Sequence, residues 1–328
     1  MKASVTVAIP TLNAGSALAH TLAAVRSQEL DRAVQLLVCD SGSADETVAT
    51  AKRYGATVIE IPGHSFSHGQ TRNLLISRSE GDHVAFLTQD AVPAHHHWLQ
   101  GLLGAFTLAP SVGLTFGPYR PRADACPSVA RELTQWFDSF SPGGGPRIDV
   151  VEPEERGAPA RDFLGHLGFF SDVNGCVSRA AWEQVPFRDV PYAEDHRLAQ
   201  DMLRAGFAKV YVPAAAVIHS HSYTHGQWLR RSFDEARAMR AVYGWEPPLS
   251  PRAALMTVAA AVAADRRWWR AATEDPAGLA RRRGPEPARL GSSLLHHSAR
   301  LIGARLGYKA DSLPAGVCRR LSLERRGR

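Results

Sequence analysis

Three polar clusters in this 328-residue chain carry residue types that could do chemistry together, and each follows an apolar, strand-like run. Pro10-Thr11-Leu12-Asn13 follows the run from Ser4, Asp40-Ser41-Gly42-Ser43 follows Val34–Cys39, and Gln89-Asp90 follows Val84–Leu87 and Thr88. A carboxylate at a strand end, opposite other polar strand ends, suits Mg²⁺ or Mn²⁺ held through oxygen, with phosphate oxygens filling the remaining positions. Asp90 has that placement; the alternative is a solvated strand terminus. Asp40 is either an acceptor for a pyrimidine imide N–H or the cap of a good turn sequence. Arg72 lies near a helix start, just after Gly69, where free backbone N–H groups and a guanidinium fork suit phosphate. Its alternative is a surface charge. Glu194-Asp195 opens another helical pattern, and its simplest role is to complement the helix dipole. His219 and His221, two apart on a strand-like segment, would face one side, as metal ligand or structural histidine. His95-His96-His97 reads as a solvated helix start, because neighbours on a helix point in different directions.

The elements that must position these groups alternate. Strand-like runs at 4–10, 34–40, 57–62 and 84–90 are separated by helical patterns at 17–28, 44–54 and 71–79. Ser43-Ala44-Asp45-Glu46 fits a capping box for the second helix. Repeated strand–helix–strand units imply a parallel sheet covered on both faces, with ligands bound beyond the carboxyl ends of the strands. Residues 118–127 and 141–160 are rich in Pro, Gly and charge and read as long loops around a short helix at 129–137. Helices from Arg179 and over 194–205, with a strand at 209–213 after the second, lead to a mostly helical region after about residue 225. The expected division is therefore 1–225 and 226–328.

Composition narrows the class. Hydrophobic residues make up 45% of the chain and charged ones 21%, which excludes wholesale disorder. From Arg281 to Arg328 there are 12 Lys/Arg against 3 Asp/Glu, so the tail carries +9 of a net +6 and the body is slightly acidic. No nucleic-acid motif accompanies that basic tail, and nucleic acid is not expected as a partner. Four scattered cysteines read as free thiols of a reducing compartment, and no signal peptide is visible. The first strand lacks a GxGxxG turn, which disfavours a Rossmann dehydrogenase.

Val5–Asn13, Val38–Thr47, Phe66–Asn73 and Thr88-Gln89-Asp90-Ala91 together resemble the family 2 inverting glycosyltransferases, in their rhamnosyltransferase-like branch. Asn174-Gly175, Trp182, Ala193-Glu194-Asp195 and Arg320-Leu321-Ser322-Leu323 continue the match, which is strong through residue 225. The resemblance implies an α/β fold of GT-A type: a nucleotide-binding, mostly parallel sheet flanked by helices, with a C-terminal helical extension. It implies that Pro10, Thr11 and Asn13 line the nucleotide pocket, that Asp40 meets the base, and that Arg72 lies near the diphosphate. Gln89 and Asp90 would complete the donor site, Asp90 would hold a divalent cation (Mg²⁺ or Mn²⁺), and Asp195 would be the general base. Where the family often has Asp-x-Asp this chain has Gln89-Asp90-Ala91, so His219 or His221 is expected to complete the metal shell. A processive Gln-x-x-Arg-Trp signature is missing, which favours single transfers.

The implied partners are a nucleotide sugar, dTDP-L-rhamnose ahead of a UDP-sugar, and a glycan or lipid-linked acceptor in cell-surface polysaccharide synthesis. A nucleotidyltransferase or a non-catalytic binder of the same fold are the alternatives. The apolar run 253–264 is too short to span a bilayer. Followed by Arg266-Arg267-Trp268-Trp269-Arg270, it suits either an interfacial position on the inner face of the cell membrane or an ordinary core helix. The expected location is cytoplasmic, peripheral to that membrane.

Overall fold

The computed structural model describes residues 5–248, 250–271 and 286–324. The chain divides into two compact units, Met1–Arg120 with Trp136–His219, and Pro121–Gln135 with Ser220–Arg328. The boundary expected at 225/226 is thus redrawn: it falls at 219/220, and a segment from the middle of the chain joins the second unit.

In the first unit the strands are β1 (Val5–Thr11), β2 (Val34–Asp40), β3 (Thr57–Glu60), β4 (His83–Leu87), β5 (Val92–Pro93), β6 (Val112–Phe116), β7 (Tyr119–Arg120), β8 (Arg147–Asp149), β9 (Asn174–Ser178), β10 (Ala208–Tyr211) and β11 (Val217–Ile218). Eight form one sheet in the order β3-β2-β1-β4-β9-β6-β10-β8; β5, β11 and β7 form a small second sheet. Strands β3, β2, β1 and β4 run parallel, whereas β9 is antiparallel to both β4 and β6. Because β9 is reversed, its first residue, Asn174, lies beside Leu87 at the end of β4. The polar ends of β1, β2 and β4 therefore share one edge of the sheet with the start of β9.

Helices α1 (Gly15–Arg26), α2 (Thr47–Arg53), α3 (His68–Arg78), α4 (Trp98–Gly104), α6 (Arg179–Gln184) and α7 (Glu194–Arg204) cover the sheet; α5 (Pro127–Asp138) crosses from the second unit's segment into the first. Side chains alternate across the strands. Val5, Val7 and Ile9, with Leu36, Val38, Ala85 and Leu87, pack on Leu18 and Leu22 of α1 and Trp98 and Leu102 of α4. The intervening Ala8, Leu37, Val84 and Phe86 are equally buried, and α3 packs against β1 and β2. Burial on both faces explains the near-continuous apolar runs that made these strands readable. The expected capping box does not form. Ser43 Oγ donates to Asp40 and accepts from Asn13 N–H, and α2 starts only at Thr47, whose N–H donates to Asp45. All four cysteines are free thiols.

The second unit is helical: α8 (His225–Tyr243), α9 (Pro251–Ala271), α10 (Glu286–Tyr308) and α11 (Ala315–Leu321), with the first part of α5. Thr224 and Gln227 close a capping box at the start of α8. Gly303 and Gly307 let α10 meet α8 at the backbone, since a Cβ on either would stand 2.1 Å from Leu229 O or 2.2 Å from Phe233 O. Asp265 of α9 is fully buried and accepts from Ser128 Oγ (2.5 Å), Ser293 Oγ (2.6 Å), His297 Nε2 (2.9 Å) and Arg131 Nε. Burial pushes its carboxyl up, but these donors outweigh burial and hold it below the usual range. Glu132 behaves alike: against burial, Arg300 and the two neighbouring histidines bring it from 4.5 to about 2. A carboxyl whose folded pKa is depressed stabilises above its unfolded pKa and loses that contribution as pH falls. The second unit is therefore expected to lose helicity between about pH 5 and pH 2, measured by circular dichroism, with Asp265→Asn flattening the transition.

Candidate active site

The site begins where the ends of β1 and β2 are laced together. Asp40, 1% exposed, takes Thr11 Oγ1 (2.9 Å) and Ser43 Oγ (2.6 Å) on Oδ1, and the N–H groups of Gly42 (3.0 Å) and Ser43 (2.8 Å) on Oδ2. That is the geometry of a turn cap, with both oxygens committed to the loop. Asn13 adopts a left-handed φ of 46° and accepts from Ala44 N–H at 2.9 Å. Pro10 is half-buried at the end of β1, and Leu12 is exposed beyond it.

Gln89 has a specific reason to be an amide. Its Oε1 accepts from Leu12 N–H (2.9 Å) and its Nε2 donates to Leu12 O (3.2 Å), so the side chain extends the β1–β4 pairing one step past the strands. A carboxylate could not make the second bond. Gln89→Glu is expected to cost about 1 kcal/mol of stability, read by urea denaturation, by placing a charge against a carbonyl oxygen.

Asp90 follows, with Oδ1 3.3 Å from His219 Nδ1. His219 sits just past β11, and its ring meets Tyr119 edge-on at 5.6 Å. The Tyr119 hydroxyl donates to Ser171 Oγ, and the next residue, Asp172, lies 2.7 Å from Arg72 Nε. Arg72 Nη1 reaches Glu194 Oε1 at 2.8 Å, and Asp195 follows in the first turn of α7. A continuous line of contacts thus joins Asp90 to Asp195 within the first unit. His221 belongs to the second unit, where its ring stacks on Tyr223 at 4.6 Å.

Arg72 has other partners than the diphosphate expected of it. It is 6% exposed, its fork is divided between Asp172 and Glu194, and Nη1 also donates to His68 O. Gly69 likewise faces protein, since a Cβ there would lie 2.3 Å from Arg188 O. Asn73 accepts from Trp182 Nε1 and Phe187 N–H and donates to Phe187 O. The whole Phe66–Asn73 stretch is a clamp on residues 182–195. It delivers the acidic start of α7, where Ala193 takes a left-handed φ of 61°, a strained conformation for a non-glycine residue.

Asp172, which local sequence pattern does not mark, lies in the irregular segment just ahead of Asn174-Gly175. It is 1% exposed. Burial raises its carboxyl well above the usual range and the charges of Asp195 and Glu194 add to this, while Arg72 opposes it. Asn174, also fully buried, accepts from Trp98 Nε1 (2.7 Å) and donates to Ala215 O (2.7 Å), fixing the loops around the β4 and β9 ends. The solvated reading of the histidine run fits: His95, His96 and His97 are exposed ahead of α4.

Known proteins similar to this chain show its family. The sequence pattern of a family described as glycosyl transferase family 2 matches residues 6–137. The O-antigen chain rhamnosyltransferase RfbN of Salmonella typhimurium is 31% identical over 239 residues, which cover 70% of this chain and 70% of that protein. A glucosyl-3-phosphoglycerate synthase of Petrotoga mobilis is 30% identical over 184 residues, 51% of this chain and 56% of its own. Among solved structures, the mannosyltransferase PcManGT of Pyrobaculum calidifontis, in complex with GDP-Man and Mn²⁺, superposes with a TM-score of 0.59 at 17% identity, covering 95% of this chain and 89% of that one.

Proposed function

Because the chain belongs to glycosyl transferase family 2, we propose that it is an inverting, non-processive enzyme moving rhamnose from a nucleoside-diphosphate donor to a glycan or lipid-linked acceptor. The observation that carries this reading is the contact line from Asp90 and His219 through Tyr119, Ser171 and Arg72 to the Glu194-Asp195 helix start. Asp195 takes the proton of the acceptor hydroxyl as its oxygen bonds the anomeric carbon. The bond from that carbon to the donor phosphate breaks, and a single displacement inverts the centre. Pro10, Thr11 and Asn13 form the nucleotide wall, with Asp40 holding its shape. Arg72 acts through Glu194 and is a positioning residue.

The donor set suits a divalent cation: one carboxylate oxygen and one imidazole nitrogen 3.3 Å apart, at a strand end among polar loops. Asp90 and His219 would hold it. Neutralising the charge of the departing diphosphate is the chemistry such an ion supplies when bound. Thermal shift with dTDP-L-rhamnose, UDP-sugars and Mn²⁺ tests the reading, since a ligand of the folded state raises the melting temperature. The rhamnose donor is expected to give the largest shift, with an Mn²⁺-dependent part lost in Asp90→Ala. No shift with any nucleotide sugar would sink it.

The lipid-linked acceptor is supported by α9. No helix among the described residues is long and apolar enough to cross a membrane. Yet Leu255 and Met256 stand 71% and 62% exposed, one turn from exposed Arg252, and exposed Arg266, Arg267 and Arg270 follow towards the other end. An apolar stripe ending in arginines suits the surface of an anionic leaflet. Sedimentation with phosphatidylglycerol vesicles is expected to carry the protein down at low salt, and Leu255→Ser with Met256→Ser to leave it in solution. Equal partition onto phosphatidylcholine would count against the electrostatic part.

A further inference from the structure

We propose that the second unit contains a Zn²⁺ site made by Glu132, His296 and His297, separate from the sugar-transfer site. Glu132 Oε2 lies 3.7 Å from His296 Nε2, and Glu132 Oε1 lies 3.6 Å from His297 Nδ1. One ligand atom from each of the three residues falls within 4.8 Å of the others. Tetrahedral zinc with nitrogen and oxygen ligands at about 2.0–2.2 Å sets them roughly 3.4 Å apart. Small side-chain adjustments suffice.

Two independent features point to a ligand. His296 is 1% exposed, its Nε2 has no hydrogen-bond partner, and the nearest acidic oxygen is that of Glu132. A buried imidazole nitrogen without a partner is costly unless something binds it. His297 is oriented the way metal-binding histidines are. Its Nε2 lies 2.9 Å from Asp265, and in the neutral tautomer with the proton on Nε2 the lone pair of Nδ1 is on the Glu132 side. Asp265 is itself held by Ser128, Ser293 and Arg131.

The competitor is visible too. Arg300 pairs with Glu132, and Arg131 Nη2 lies 3.6 Å from the same carboxylate. Arg300 is 34% exposed at its side chain, whereas Arg131 is 9% exposed and held by Asp265. Zinc would take the place that the Arg300 charge now fills, so the arginine sets the affinity.

The test is titration of the metal-stripped full chain with zinc chloride by calorimetry, alongside cobalt(II) visible spectra, which report tetrahedral coordination. One equivalent is expected, with binding lost in His296→Gln, weakened at least about tenfold in Asp265→Asn, and tightened at least about tenfold in Arg300→Gln. Circular dichroism identifies variants that still fold, and His296→Gln leaves the Asp265 hydrogen bonds in place. Zinc bound equally by the parent and His296→Gln would overturn the site, as would no binding by either parent or Arg300→Gln. Because donor binding rests on the first unit, Mn²⁺-dependent thermal shift in His296→Gln is expected to match the parent, which separates this inference from the proposed transfer activity.

Discussion

Asp195→Asn is expected to lower kcat by about 10²- to 10⁴-fold and to leave donor affinity unchanged. The substitution preserves shape and removes the basic oxygen pair. In the structure Asp195 Oδ1 accepts from His196 N–H at 2.8 Å, and an asparagine oxygen can do the same, so the start of α7 should persist. Glu194 remains locked to Arg72 in either case. What disappears is the acceptor for the proton released as the hydroxyl attacks. Single-turnover transfer measured beside donor calorimetry separates the two effects. Unchanged transfer would remove Asp195 from the base role and turn attention to Asp172, the other carboxyl on Arg72.

The sequence made the first half of the fold legible for a physical reason. Strands β1, β2 and β4 are buried on both faces, so they appear as short apolar runs that stop at Thr11, Asp40 and Leu87. Strand β9 gave a weaker signal, because Asn174-Gly175-Cys176-Val177-Ser178 owes its place to tight packing: a Cβ on Gly175 would lie 2.5 Å from Phe170 Cζ. Local pattern also could not join Pro121–Gln135 to helices more than a hundred residues later, since that pairing rests on buried Asp265 and its partners. Within the site, residue types were readable but their partners were not. Arg72 and Gln89 look like ligand-facing groups in sequence, and both are spent on protein contacts that only tertiary structure supplies. Asp172 shows the same limit from the other side, as a buried carboxyl in a loop without periodicity.

The Arg72 brace leads to the second large effect. Arg72→Met is expected to destabilise the first unit by about 3–5 kcal/mol, the usual cost of removing one partner from a buried ionic group. Asp172 and Glu194 are 1% and 5% exposed and would be left facing each other without a cation. Arg72→Lys should recover only part of this, because one ammonium cannot reproduce a fork that reaches Asp172 through Nε and Glu194 through Nη1. The loss should depend on pH with a defined sign. The Asp172 carboxyl is already raised by burial and by its acidic neighbours, and Arg72 is what opposes the rise. Without Arg72 it rises further, so the variant holds its proton when folded more tightly than when unfolded. Stability from that proton is present below the unfolded pKa and is lost as pH climbs through the raised one. Urea denaturation should therefore find Arg72→Met closest to the parent in mild acid and furthest from it at alkaline pH. Adding Asp172→Asn should flatten the dependence and restore part of the stability. A gap that is constant with pH, or absent, would mean that the arginine does not brace the acidic helix, and the positioning of Asp195 would then need another cause.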